Sequence, residues 1–148
     1  MKAVHRLATL DDANRLFDLR RQSITELAPK GMSIVEAARW AEKLTVTGME
    51  RKIGELEIWV AEVSETVVGW GAIRGDRLEG LYTVPEFAGR GIGTELLGLL
   101  EGLMRGRRIP AVCAEASSNA EVFYLRRGYE RSGPRTSDGA QPIRKRLQ

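Results

Sequence analysis

The chain has 148 residues, 43% of them hydrophobic and 29% charged, which fits one globular domain over 1–148 and excludes a disordered polymer. A single cysteine (Cys113) and a single histidine (His5) exclude an internal disulfide and a Cys/His zinc site, so no metal is expected, and the lone thiol suits a reducing, cytoplasmic setting. The net charge of +3 is mildly basic and gathers in the carboxyl-terminal third, with too few aromatics among the arginines to suggest a nucleic-acid partner.

Lys2, His5 and Arg6 interrupt any signal-peptide core, and no apolar run is long enough for a membrane span, so a soluble protein is expected. Residues 3–8 read as a first strand. Thr9 and Asp12 then form a capping-box-like start for a helix carrying Ala13, Leu16, Phe17, Ile24 and Leu27 on one stripe. Pro29-Lys30-Gly31 breaks it, and Ser33 with Glu36 opens a second helix running to about Leu44. A hairpin follows, Leu56–Val63 and Val67–Arg74, joined by a polar turn at Ser64–Thr66. Leu78–Val84 is a further strand, stopped by Pro85. Ile92, Leu96, Leu99 and Leu103, flanked by Leu97, Leu100 and Met104, make the wide stripe of a helix packed on a sheet, with Gly106 as its carboxyl cap. Ile109–Ala116 reads as a central strand, Ser118 with Glu121 as the start of a short helix closed by Gly128, and Tyr129–Ser132 with Pro142–Leu147 as a last hairpin. Such alternation predicts an α/β fold with a mixed sheet.

The segment Pro85-Glu86-Phe87-Ala88-Gly89-Arg90-Gly91-Ile92-Gly93-Thr94 carries the chemistry. A strand enters a turn with glycine at three alternate positions and passes directly into an amphipathic helix. Glycine lets the backbone approach a ligand closely, and the helix start adds unpaired amides and the positive end of its dipole. That combination holds a phosphate or pyrophosphate, and Arg90 can add a charge-assisted bond. No lysine follows the glycines, and neither the triphosphatase loop nor the dinucleotide fingerprint fits.

This turn resembles the signature of the GCN5-related N-acetyltransferases, [QR]-x-x-G-x-[GA], with alanine at Ala88 in place of the signature's first side chain. Asn119 after the fifth strand, and Phe123-Tyr124 followed by Arg126-Arg127-Gly128-Tyr129, resemble further family features. The resemblance implies a predominantly antiparallel sheet of about seven strands, about four flanking helices, and splayed fourth and fifth strands. It implies acetyl-coenzyme A as co-substrate and transfer of the acetyl group to a primary amine of a small molecule or protein. Implied coenzyme contacts are Leu81, Tyr82, Thr83 and Val84 on the strand, Gly89, Arg90, Gly91, Ile92, Gly93 and Thr94 at the turn, and Asn119. An N–H near Leu81 or Tyr82 would hold the thioester oxygen. Tyr124 is implied as general acid for the departing thiolate, and Glu79 as general base, placed by strand alternation on the face of Leu81 and Thr83. Glu62 and Glu115 are rival bases, Arg126 and Arg127 candidate phosphate contacts, and Ala28–Met32 with Trp40 candidate acceptor lining. Cys113 reads as a core residue. A non-catalytic acyl-coenzyme A-binding module is the alternative, and a homodimer stays open.

Overall fold

The computed structural model describes residues 2–23, 35, 44–87 and 89–148. The Pro29-Lys30-Gly31 break, the Ser33/Glu36 helix start, Trp40, Ala88 and the end of the first helical stripe (Ile24, Leu27) lie outside the described residues.

Strand β1 (Val4–Leu7) leads through a 3-10 turn at Leu10–Asp12 into α1 (Ala13–Gln22). The Thr9 amide donates to Asp12 Oδ2 at 2.7 Å, the bond the sequence predicts. Both Asp12 oxygens also accept from the Arg6 guanidinium at 2.8 Å, which ties the helix entry to β1. Helix α2 (Val46–Glu55) is new relative to the sequence reading, which has no helix there. It starts at Thr45, whose Oγ1 accepts from the Gly48 amide at 2.9 Å, and it anchors through buried Met49.

Strands β2 (Glu57–Val63), β3 (Thr66–Arg74) and β4 (Arg77–Thr83) form an antiparallel meander. Ser64 and Glu65 join β2 to β3 with φ of 51° and 64°, the left-handed geometry of a tight hairpin turn. Then come α3 (Ile92–Gly106), β5 (Ala111–Ala116), α4 (Glu121–Leu125), β6 (Glu130–Arg131) and β7 (Gln141–Arg146). Two expected caps differ. Gly106 is the last helical residue, and the left-handed position falls on Arg108 (φ 61°). Ser118 makes no capping box, since Ala120 is the N-cap and the Glu121 carboxylate accepts from Arg131 at 2.8 Å and Arg135 at 3.1 Å.

The seven strands run in the order β1-β2-β3-β4-β5-β7-β6. Every neighbouring pair is antiparallel except β4 and β5, which are parallel and share a single register pair, Arg77 with Cys113. The sheet is thus mixed and mostly antiparallel, as predicted. Helix α3 lies tightly on β3 because two strand positions are glycine. A Cβ on Gly69 would stand 3.0 Å from Ile92 Cγ2 and from the Tyr82 carbonyl oxygen, and one on Gly71 would stand 2.8 Å from Leu100 Cδ1. The core falls into two apolar clusters. One joins α1, α2, β2, β3 and the start of α3, around Leu16, Val60 and Trp70; the other joins the rest of α3 to β5 and β7, around Leu100, Val112 and Ile143.

Candidate active site

Beyond the Arg77–Cys113 pair, β4 and β5 part, and a cavity of about 500 Å³ opens between their carboxyl ends. The register of β4 decides which backbone groups face it. The Val84 amide donates to the Val68 carbonyl at 2.8 Å, so Val84, Tyr82 and Gly80 are the residues bonded to β3. Leu81 and Thr83 alternate with them and turn their N–H and C=O groups away from β3, toward the gap. The expectation of an oxyanion donor at Leu81 or Tyr82 therefore narrows to Leu81. Val84 is corrected outright: its side chain is buried and its amide is consumed by the sheet.

The glycine-rich turn forms one end of the cavity. Gly89 and Gly91 have φ of 80° and 85°, a left-handed backbone that only glycine adopts without strain. Gly91 is the N-cap of α3, and the amides of its first turn have no carbonyl within the helix to meet. Gly89, Gly91, Gly93 and Thr94 line the cavity. Ile92 does not; its side chain is buried in the core. Arg90 does not either, its guanidinium lying 5.2 Å from the Phe87 ring centre.

The opposite wall comes from the segment after β5. Ser117, Asn119, Phe123, Tyr124 and Arg127 line it. Ser117 Oγ donates to Asn119 Oδ1 at 2.6 Å, which orients the amide. The Tyr124 hydroxyl is held well above the usual phenol range by burial first and by Tyr82 second. It therefore keeps its proton at neutral pH. Phe123 and Arg127, one helical turn apart, form a unit. The guanidinium stacks 3.7 Å from the Phe123 ring centre, donates to Thr94 Oγ1 at 2.6 and 3.0 Å, and donates to the Phe123 carbonyl at 2.7 Å.

Glu79 lies elsewhere than alternation predicts. Gly80 pairs with Ala72 and Leu78 with Ile73, so Glu79 is the extra residue of a β-bulge. Leu78 and Leu81 both pack toward α3, and the bulge turns Glu79 to the opposite face, beneath α1 and α2. There its carboxylate is 3.7 Å from Arg74 and 3.8 Å from Arg77. Glu62 is bound by Arg6 at 2.5 Å, and exposed Glu115 stands 3.9 Å from Arg77. None of the three carboxylates lines the cavity.

A family model described as an acetyltransferase (GNAT) domain matches residues 21–141. The chain belongs to the GNAT acetyltransferase family. Solved GNAT structures share its fold along nearly the whole chain. A GCN5-related N-acetyltransferase from Rhodopseudomonas palustris is 24% identical, with a TM-score of 0.91 over 99% of this chain and 96% of that one. The PaiA N-acetyltransferase of Thermoplasma acidophilum, solved with coenzyme A, is 21% identical with a TM-score of 0.85 over 99% of both chains. YncA of Salmonella typhimurium, solved with acetyl-CoA, is 16% identical with a TM-score of 0.69 over 100% of this chain and 95% of that one. No curated protein matches the sequence.

Of the expected GNAT coenzyme contacts, Leu81, Tyr82, Thr83, Gly89, Gly91, Gly93, Thr94 and Asn119 line one cavity, and Tyr124 joins them. Sequence reasoning treated Arg127 as surface charge with a phosphate contact in view, and gave Phe123 no role beyond its motif. Their spacing of four on a short helix, arginine after phenylalanine, is the signal that pairs them.

Proposed function

We propose that this GNAT protein is an acetyl-coenzyme A-dependent N-acetyltransferase acting on a primary amine. The observation that carries the reading is the shared cavity: a cradle of orphan amides at Gly91–Thr94, an unpaired strand edge at Leu81 and Thr83, and a protonated phenol at Tyr124. These residues fit an extended arm ending in a pyrophosphate. Neighbouring structures solved with coenzyme A and acetyl-CoA support that choice.

Bound acetyl-CoA supplies an activated acyl thioester. The amides at the start of α3, with Arg127 above them, hold the pyrophosphate. The strand edge of Leu81 and Thr83 binds the amide-bearing arm as an added strand would. Leu81 N–H donates to the thioester oxygen as charge develops there. The acceptor nitrogen enters from the α1/α2 face, where Glu79 takes the ammonium proton directly or through one water. The new C–N bond forms as C–S breaks, and Tyr124 gives its proton to the departing sulfur. Tyr124 is reprotonated by the second proton that the nitrogen sheds on becoming an amide, and Glu79 releases its proton to solvent. A thermal-shift titration with acetyl-CoA, coenzyme A and NAD tests the binding step, because stabilisation follows occupancy of the folded state. A rise in Tm with both coenzyme A forms and none with NAD is expected. No shift with either coenzyme A form ends the proposal. A shift without thiol release across a broad amine screen leaves a non-catalytic binding module instead.

A further inference from the structure

The α1/α2 face beside the cavity has an uneven charge. Arg20, on α1, sets its guanidinium 5.9 Å from the ring centre of Tyr82, and one turn further on Ser23 lines the cavity together with Tyr82. The Arg20 Nε is buried and has no hydrogen-bond partner among the described residues. No carboxylate pairs with Arg20 among the described residues. Lys52, on α2, is close enough to feel the same guanidinium: burial first, and Arg20 second, hold its amine below the usual lysine range. Arg74 adds a third positive charge, and Glu79 with Glu55 supply the negative charge that reaches Lys52. Glu79, however, is already drawn toward Arg74 and Arg77.

Two half-buried cations in mutual repulsion, one with an unsatisfied N–H, are costly unless something anionic meets them. We propose that the acceptor of this enzyme is an amine that also carries a carboxylate, held by Arg20 and Lys52 so that its amino group falls between Glu79 and the Leu81 edge. Multiply cationic acceptors, such as polyamines, meet repulsion at the same point. This inference rests on the acetyltransferase reading and names its substrate class.

The test compares matched acceptors at saturating acetyl-CoA by thiol release: L-phenylalanine against L-phenylalaninamide, 4-aminobutyrate against 4-aminobutyramide, and L-lysine against cadaverine, with spermidine alongside. A charge-assisted contact to a carboxylate predicts a preference of roughly 10–100-fold in kcat/KM for the acid of an accepted pair. Arg20→Gln and Lys52→Gln should each erase most of that preference through KM. Lys52 is half-exposed on α2, so the second variant keeps the test decisive if the first fails to fold. The proposal is overturned if the amides or amines are the better acceptors, if no carboxylate-bearing acceptor is acetylated, or if the preference survives in the folded variants. Wild-type Tm with acetyl-CoA separates the two levels. A retained shift without acid preference removes only this inference, whereas no shift removes the acetyltransferase reading beneath it.

Discussion

Tyr124 combines a buried ring with a hydroxyl at the cavity wall, and its environment favours the neutral phenol. Tyr124→Phe keeps that ring and removes only the hydroxyl. Turnover is expected to fall by roughly 10²–10⁴-fold, the usual worth of general acid catalysis, with the coenzyme thermal shift preserved. Full activity in the variant would take the phenol out of the mechanism. Arg127 makes a different kind of contribution. Its guanidinium reaches from α4 to Thr94 at the start of α3 while stacking on Phe123. Arg127→Ala should weaken coenzyme A binding by roughly tenfold, the scale of one charge-assisted bond, while Arg90→Ala should change it little; calorimetric titration distinguishes them. At this scale the sequence was legible where a residue type has few uses, as with the alternate glycines and Tyr124. It was misleading for Glu79, because strand alternation assumes an unbroken ladder and nothing in Arg77-Leu78-Glu79-Gly80 announces a bulge in its hairpin with Ala72 and Ile73.

The turn into α3 separates two jobs that look alike in sequence. Gly91 is needed for its left-handed φ of 85°, whereas a Cβ on Gly93 would meet only ordinary contacts, 3.5 Å from Phe123 and 3.6 Å from Thr83 Oγ1. Gly91→Ala is therefore expected to cost about 1–2 kcal/mol in urea unfolding. Gly93→Ala should stay within about 0.5 kcal/mol of wild type and yet lose coenzyme affinity, because its methyl group projects into the cavity. Equal stability losses in the two would contradict this division. Helix α2 shows the opposite case, a segment whose local signal is weak. Val46, Thr47, Gly48 and Gly54 are poor helix formers, and the element persists through the Thr45 cap and the burial of Met49. Propensity was overridden by packing that only the assembled sheet provides. The hairpins and α3 were legible because their periodicity is long and their burial one-sided.

For the whole molecule, ionisation sets the limits of stability in pH. Asp12, bonded first by Arg6, and Glu57, bonded first by Arg107, titrate below the usual carboxylate range. Such groups stabilise the fold above their unfolded pKa values of about 4, and the contribution disappears as pH falls through the lower folded values. Tyr124 and Tyr129 lie on the other side. Burial raises both phenols, and Tyr129 also donates to Glu101 at 2.7 Å. Their contribution is complete below about pH 10 and is lost as pH rises from there toward the folded values. Tm against pH should be flat between about 5 and 9 and fall on both sides. Tyr124→Phe and Tyr129→Phe should each soften the alkaline fall; a profile unchanged in both would contradict the assignment. Strand order, by contrast, was legible only through family resemblance, since periodicity shows that strands exist and not which ones meet.

The single register pair between β4 and β5 has a mechanical side. Two leaves of sheet are riveted mainly through α3 and the apolar cluster it forms with Ile73 and Leu78 on one side and Val112 and Ile143 on the other, and the seam between them lacks most of the rungs a continuous ladder would have. A molecule built this way is weakest where it is meant to be filled. Whatever extended chain lies in the seam acts as a missing strand, so loading and tightening become one event. Loading should then slow the exchange of amide hydrogens in β4 and β5 more than in β2, which already sits between two full partners.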